Sequence, residues 1–205
     1  RILVAKDGKY AYIDQMGNEK IPFGNEFNPE VIAWGTFDKG VVKIKKHKLM
    51  GLIDTTGQKL LPAIFEDLKA DYSELIPVKK RGLWGYCDKN VNLVIKYQYN
   101  EVSPFFKEKA FVKKDGFYGL IDKTDHQVVP FVYDEIDTLE CGLVKVKKEG
   151  LLGIIDYNNE MLFEPSCREI VEFDKQFLQL KYDSSMTWYN AVDRKTIWTS
   201  NSSGQ

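Results

Sequence analysis

The chain has 205 residues, 43% hydrophobic and 29% charged, a balance that buries a core inside a solvated exterior and excludes a disordered polyelectrolyte. Its 29 Lys and Arg offset 30 Asp and Glu, so no global field draws it to nucleic acid or an anionic membrane. No apolar run is long enough for a membrane-spanning helix, and three cysteines without paired close spacing exclude a disulfide framework and suit a reducing compartment.

From the N-terminus, strand alternation puts Val4 on one face. Asp7-Gly8 then supplies the positive φ of a tight hairpin. The next strand closes at Asp14, where Asp14 to Gly17 spells a four-residue turn, and Lys20-Ile21 runs into Pro22. The same order then returns. An aspartate closing a short apolar run recurs at Asp54, Asp88, Asp122 and Asp156, each 34 residues after the last. Asp14, 40 residues before Asp54, and Asp193, 37 after Asp156, extend the register outward. Six units therefore fill the chain, at about 1–36, 37–70, 71–104, 105–138, 139–172 and 173–205, the last one degenerate. The first carries an insertion around Asn25 to Trp34, with Phe27, Pro29 and Trp34. A fixed period of this size makes each unit a piece of supersecondary structure that needs its neighbours.

Within each unit the inward column runs Val4, Ile44, Val78, Val112, Val146, Leu180. Two-residue turns follow at Arg81-Gly82, Asp115-Gly116 and Glu149-Gly150, while His47-Lys48 in the second unit predicts strain or a wider turn. The second strand is apolar on both faces, which places it inside the array. Gly51, Gly85, Gly119 and Gly153, with Ala11 in the same slot, predict close backbone approach between units. Asn159 and Asp125 tolerate the left-handed position after the aspartate; Val91 does not, so the third unit's turn is expected to differ. A third strand ends before Pro62 and Pro130, and a short fourth segment such as Phe65 to Leu68 leads into the next unit.

The linked order Gly-x-Trp/Tyr-Gly-x-Ile-Asp, x-x-Gly, Val-Val-Pro, Tyr-Asp-x-Ile and Gly-Leu-Val-x-Val resembles the bacterial WG repeat, also called the KWG repeat. Gly82 to Asp88, with a literal Trp84-Gly85, and Gly116 to Ile136 carry it best. The resemblance implies tandem β-repeat modules attached to varied partners, with no shared catalytic residues to carry over. The expected fold is all-β: antiparallel hairpin or meander repeats in an open superhelical array, with a closed propeller-like ring as the alternative.

No catalytic, cofactor or metal residues are assigned. His47 and His126 both fall at turns without partners at triad or zinc spacing. The aspartate column reads as turn capping, because a calcium site needs several oxygen donors converging in one loop. Cys87 and Cys167 stand at apolar positions of the repeat and read as buried. The outward lysines Lys45, Lys79, Lys113 and Lys147 share their period with acids at Asp67, Glu101, Glu135 and Glu169, which neutralise them across neighbouring units. Tyr10, Met50, Trp84, Tyr118 and Leu152 form a column that reads as core or as a platform for sugars or peptides.

The expected function is non-enzymatic: a repeat module or scaffold for an unknown protein or polymer partner. The alternative is a binding module for an anionic or glycan polymer through the lysine and aromatic columns. The candidate surface comprises Phe27, Trp34, Lys45, Lys79, Lys113, Lys147, Trp84 and Tyr118, with no specific nucleic-acid binding and no membrane span.

Overall fold

The computed structural model describes residues 2–25 and 37–201. All regular structure there is β, in six antiparallel sheets of three or four strands, none of them closed. The first sheet comprises β1 (Ile2–Lys6), β2 (Lys9–Ile13) and β3 (Glu19–Asn25); the second, β4 (Val41–Lys46), β5 (Leu49–Asp54) and β6 (Lys59–Phe65). Four-stranded sheets follow: β7 (Asp67–Leu68) to β10 (Leu93–Tyr99), with β8 (Ile76–Lys80) and β9 (Leu83–Cys87) between; then β11 (Glu101–Val102), β12 (Lys109–Lys114), β13 (Phe117–Asp122) and β14 (Gln127–Tyr133). The fifth holds β15 (Glu135–Thr138), β16 (Val144–Lys148), β17 (Leu151–Ile155) and β18 (Met161–Cys167). The sixth holds β19 (Glu169–Phe173), β20 (Phe177–Lys181), β21 (Ser185–Asn190) and β22 (Lys195–Asn201). Two compact units divide the chain, Arg1–Ala110 and Phe111–Gln205.

In the first unit, Tyr12 and Ile21 of the first sheet pack with Val42, Ile44 and Ile53 of the second. Leu52, Leu61 and Phe65 pack in turn with Ile76, Val78 and Cys87 of the third. In the second unit, Leu120, Val129 and Tyr133 meet Val144, Val146 and Ile155, and Ile154 and Cys167 meet Leu178, Leu180 and Tyr189. A central strand whose two faces both meet apolar neighbours has to be apolar on both sides, which is why β5, β9, β13 and β17 show no alternation.

The short fourth segment divides: Phe65 ends β6, while Asp67 and Leu68 open the next sheet by pairing with Lys79 and Val78. Between them the Glu66 carboxylate accepts the amides of Arg81 and Gly82 at 2.7 and 2.8 Å, tying the start of the sheet to its hairpin turn. Asp134 does the same for Glu149 at 2.8 Å.

The five turn aspartates act alike. One carboxylate oxygen accepts the amides two and four residues on, as in Asn90 and Asn92 to Asp88 at 2.9 and 2.8 Å. In the sixth sheet the cap is Asn190, whose side-chain oxygen accepts the amides of Val192 and Asp193 at 3.0 and 2.9 Å. Asn190 lies 34 residues after Asp156, so the period persists through an amide, and the step to Asp193 misplaces the register by three.

Three local expectations are corrected, at Val91, at the repeat glycines and at Pro130, while His47-Lys48 takes the strained of its two expected alternatives. Val91 adopts φ 69° in the same Asp88-capped turn as its counterparts, because the two ladders around it dictate the turn. His47 and Lys48 take φ 49° and 70°, matching Arg81 and Gly82 at 53° and 77°, so that hairpin is not widened; a non-glycine residue simply occupies the strained position. The repeat glycines meet the outer strand of their own sheet, not a neighbouring unit: a Cβ on Gly119 would stand 2.7 Å from the Val129 carbonyl oxygen. The cause is a bulge. Register shifts between Tyr118↔Tyr133 and Leu120↔Val129 crowd the outer chain onto the glycine, and Pro130 lies inside that bulge instead of ending the strand.

Candidate functional site

Phe27 and Trp34 lie outside the described residues. The other six candidates share one face of their sheets, since Lys45, Lys79 and Lys147 pair across strands with Met50, Trp84 and Leu152. All four lysines are half-buried and do not stand out as a bare ladder. Lys79 Nζ lies 5.7 Å from the Trp84 ring centroid and Lys113 Nζ 4.7 Å from that of Tyr118, both at cation–π distance. Lys147 donates to Glu135 at 2.8 Å. The pairing of Glu135 with Lys147, and of Glu169 with Lys181 at 2.7 Å, is made within one sheet because the acidic segment is that sheet's first strand. Asp67 instead takes Lys43, at 3.3 Å, from the preceding sheet.

Trp84 is 7% exposed, with Lys69 Nζ 5.2 Å from its ring as well. It is a core residue with lysines over it, not a free platform. Tyr118 and Lys147 do come together. They line a cleft of about 290 Å³ with Glu135, Asp137, Lys145 and Leu152. Lys145 pairs with Asp137 at 3.1 Å, so the cleft holds two lysine–carboxylate pairs and its charge is balanced.

Two clefts escaped the reading of the columns. One, of about 500 Å³, is floored by Ile21, Pro22, Phe23, Ile44, Pro62, Ala63 and Ile64, with Lys46 and Lys59 at its rim. The other, about 430 Å³, is lined by Lys80, Arg81, Leu83, Leu93, Lys96 and Tyr97. The first uses the outer strands β3 and β6, the second the outer strand β10. The available signal was apolar side chains on strands that also carry turn-like proline or lysine, as in Ile21-Pro22-Phe23.

The titratable groups are tuned for structure. Burial pushes the Cys87 thiol up to about 11, with Asp88 adding to it, and burial does the same to Cys141. Hydrogen bonds from side chains hold the turn carboxyls low: Asn18 for Asp14, Thr56 for Asp54, Asn92 for Asp88 and Thr124 for Asp122. His126 Nδ1 stands 4.0 Å from Asp122 on an exposed turn. Among the described residues no group of three or more His, Cys, Asp or Glu is placed to hold a metal ion. No helix among them is long and apolar enough to cross a membrane.

The WG containing repeat matches residues 50–84, 84–116 and 118–151. No curated protein matches the chain. Among solved structures, a eukaryotic initiation factor is similar at 9% identity and TM-score 0.52, over 97% of this chain and 62% of that one. BamB from Moraxella catarrhalis is 14% identical, with TM-score 0.48 over 98% of this chain and 72% of that one. The C-terminal WD40 domain of Sif2 is 13% identical, with TM-score 0.45 over 96% and 66%. At such identities the likeness concerns the fold alone. Residues 50–151 thus carry three tandem matches to the WG containing repeat, each spanning parts of successive meander sheets.

Proposed function

We propose that this chain is a non-enzymatic interaction module that binds a protein partner along the outer strands of its sheets. The observation that carries the reading is the apolar cleft formed by Ile21, Pro22 and Phe23 with Pro62, Ala63 and Ile64. Phe23 and Ile64 are 37% and 45% exposed there, on strands that end their sheets. Water-facing apolar side chains in a concave site are what a protein partner covers. Exposed apolar residues also lie on other outer strands: Leu93 and Val94 on β10, Val132 on β14, Ile197 and Trp198 on β22.

An anionic or glycan polymer is the second reading. The cationic cleft at Lys80, Arg81 and Lys96 favours it; the carboxylates held by Lys147 and Lys181 and the burial of Trp84 weigh against a continuous column. The test is affinity capture with the immobilised chain, followed by calorimetry with the purified partner. Saturable protein binding supports the module. A chain that binds no protein yet turns over a substrate contradicts it.

A further inference from the structure

The strand β10 differs from the other outer strands. Pro22, Pro62, Pro130 and Pro165 stand inside β3, β6, β14 and β18, each removing an edge donor and blocking strand addition. Lys96 takes the place of the first three of these prolines in β10, directly after Ile95, as Pro22 follows Ile21, Pro62 follows Leu61 and Pro130 follows Val129, while Pro165 stands one residue further along β18. β10 hydrogen-bonds within its sheet only to β9. β22 also lacks proline, but its Lys195 is paired with Asp193 at 3.6 Å.

Chemistry at the β10 edge is one-sided. Lys80, Arg81 and Lys96 line its cleft, with Leu83, Leu93 and Tyr97 between them, and no carboxylate is in the lining. Among the described residues none of these three cations makes an ion pair. Glu66, which feels the charge of Lys80, is already held by the amides of Arg81 and Gly82 at 2.7 and 2.8 Å. Leu93 and Val94 are 45% and 48% exposed.

We propose that β10 is a docking edge for an extended acidic peptide bearing apolar side chains, which adds to the sheet as a further strand. Main-chain hydrogen bonds supply affinity in this mode, and alternate side chains supply specificity. The carboxylates face Lys80, Arg81 and Lys96 while apolar groups cover Leu93 and Tyr97. A second copy of the chain fits poorly, because the same three cations would confront their equals. The proposal rests on the protein-binding reading and narrows it to one strand and one ligand chemistry.

The experiment is fluorescence anisotropy with a labelled synthetic peptide alternating glutamate with phenylalanine and threonine. Expected are saturable binding that weakens with salt, a loss of about tenfold or more in Lys80→Gln with Lys96→Gln, and loss in Lys96→Pro. Proline is native at this place in sister strands, and circular dichroism checks that Lys96→Pro remains folded. The same peptide N-methylated at alternate amides cannot pair and is expected not to bind. No binding by the parent peptide, equal binding of its N-methylated form, or affinity unchanged in the folded Lys96→Pro protein overturns the proposal. So does a dimer in sedimentation that Lys96→Pro dissolves, or heparin binding insensitive to that change at the affinity of the peptide. A captured protein partner that still binds Lys96→Pro at full strength removes this edge and leaves the interaction module standing.

Discussion

The guanidinium of Arg194 lies 3.2 Å from Oδ2 of Asp156, the most deeply buried of the turn aspartates, and 3.0 Å from Glu160. Burial opposes ionisation of Asp156, yet the amides of Glu160 and Asn158 together with Arg194 hold its carboxyl below the ordinary range. The last turn of the array thus reaches back and neutralises the one before it. Replacing Arg194 by Ala strands a buried carboxylate, with an expected loss of about 1 to 2 kcal/mol after allowing for the half-exposed arginine. Urea unfolding at neutral pH reads this, and Asp156→Asn in the same background is expected to recover part of the loss.

The turn carboxyls make stability depend on acid. Their folded pKa values lie below the unfolded value of about 3.9, so the stability they contribute is complete above that value and is lost as pH falls through the folded values. The melting temperature is expected to be flat from neutrality to about pH 5 and to fall steeply below pH 4. Asp88→Asn, which keeps one acceptor for the amides of Asn90 and Asn92, is expected to flatten that fall; an unchanged profile contradicts this account of the turns.

Gly119→Ala places a Cβ 2.7 Å from the Val129 oxygen and 2.8 Å from the Phe131 ring. The backbone of the bulge has to move, at a cost of about 2 kcal/mol or more. Thermal unfolding, with Ala110→Gly as a comparison for an ordinary strand site, checks it.

Lys48 is exposed and held at φ 70° where Gly82, Gly116 and Gly150 stand in sister hairpins. Lys48→Gly is expected to stabilise by about 0.5 to 1 kcal/mol, the cost of left-handed backbone outweighing the added freedom of glycine in the unfolded chain. A lower midpoint in urea contradicts it.

Much of the fold was legible because local chemistry and period agreed: Asp54, Asp88, Asp122 and Asp156 fix where each central strand ends, and the Val78 and Val146 column fixes its inward face. The turn at Val91 was misread because propensity at one residue yields to two flanking ladders. The contacts of Gly85 and Gly119 were misread because a bulge is a property of strand pairing, which sequence spacing does not carry. The site was less legible. Whether Lys147 is free or paired depends on β15 belonging to its own sheet, and a lysine column looks the same in both cases. Trp84 was ambiguous for a like reason, since core and platform require the same side chain. The clefts at Phe23 and Lys96 arise where outer strands meet neighbouring turns, and their mark in the sequence is indirect: a periodic proline at Pro22, Pro62 and Pro130 that Lys96 interrupts.

The central claim is that exposed apolar residues on the outer strands hold a protein partner. Isothermal titration of the captured, purified partner into the parent chain and into Phe23→Ser with Ile64→Ser tests it most directly. These side chains are partly exposed, so the variant is expected to stay folded and to bind about tenfold or more weakly. Equal affinity in the two proteins, or no partner at all beside measurable turnover, contradicts the account.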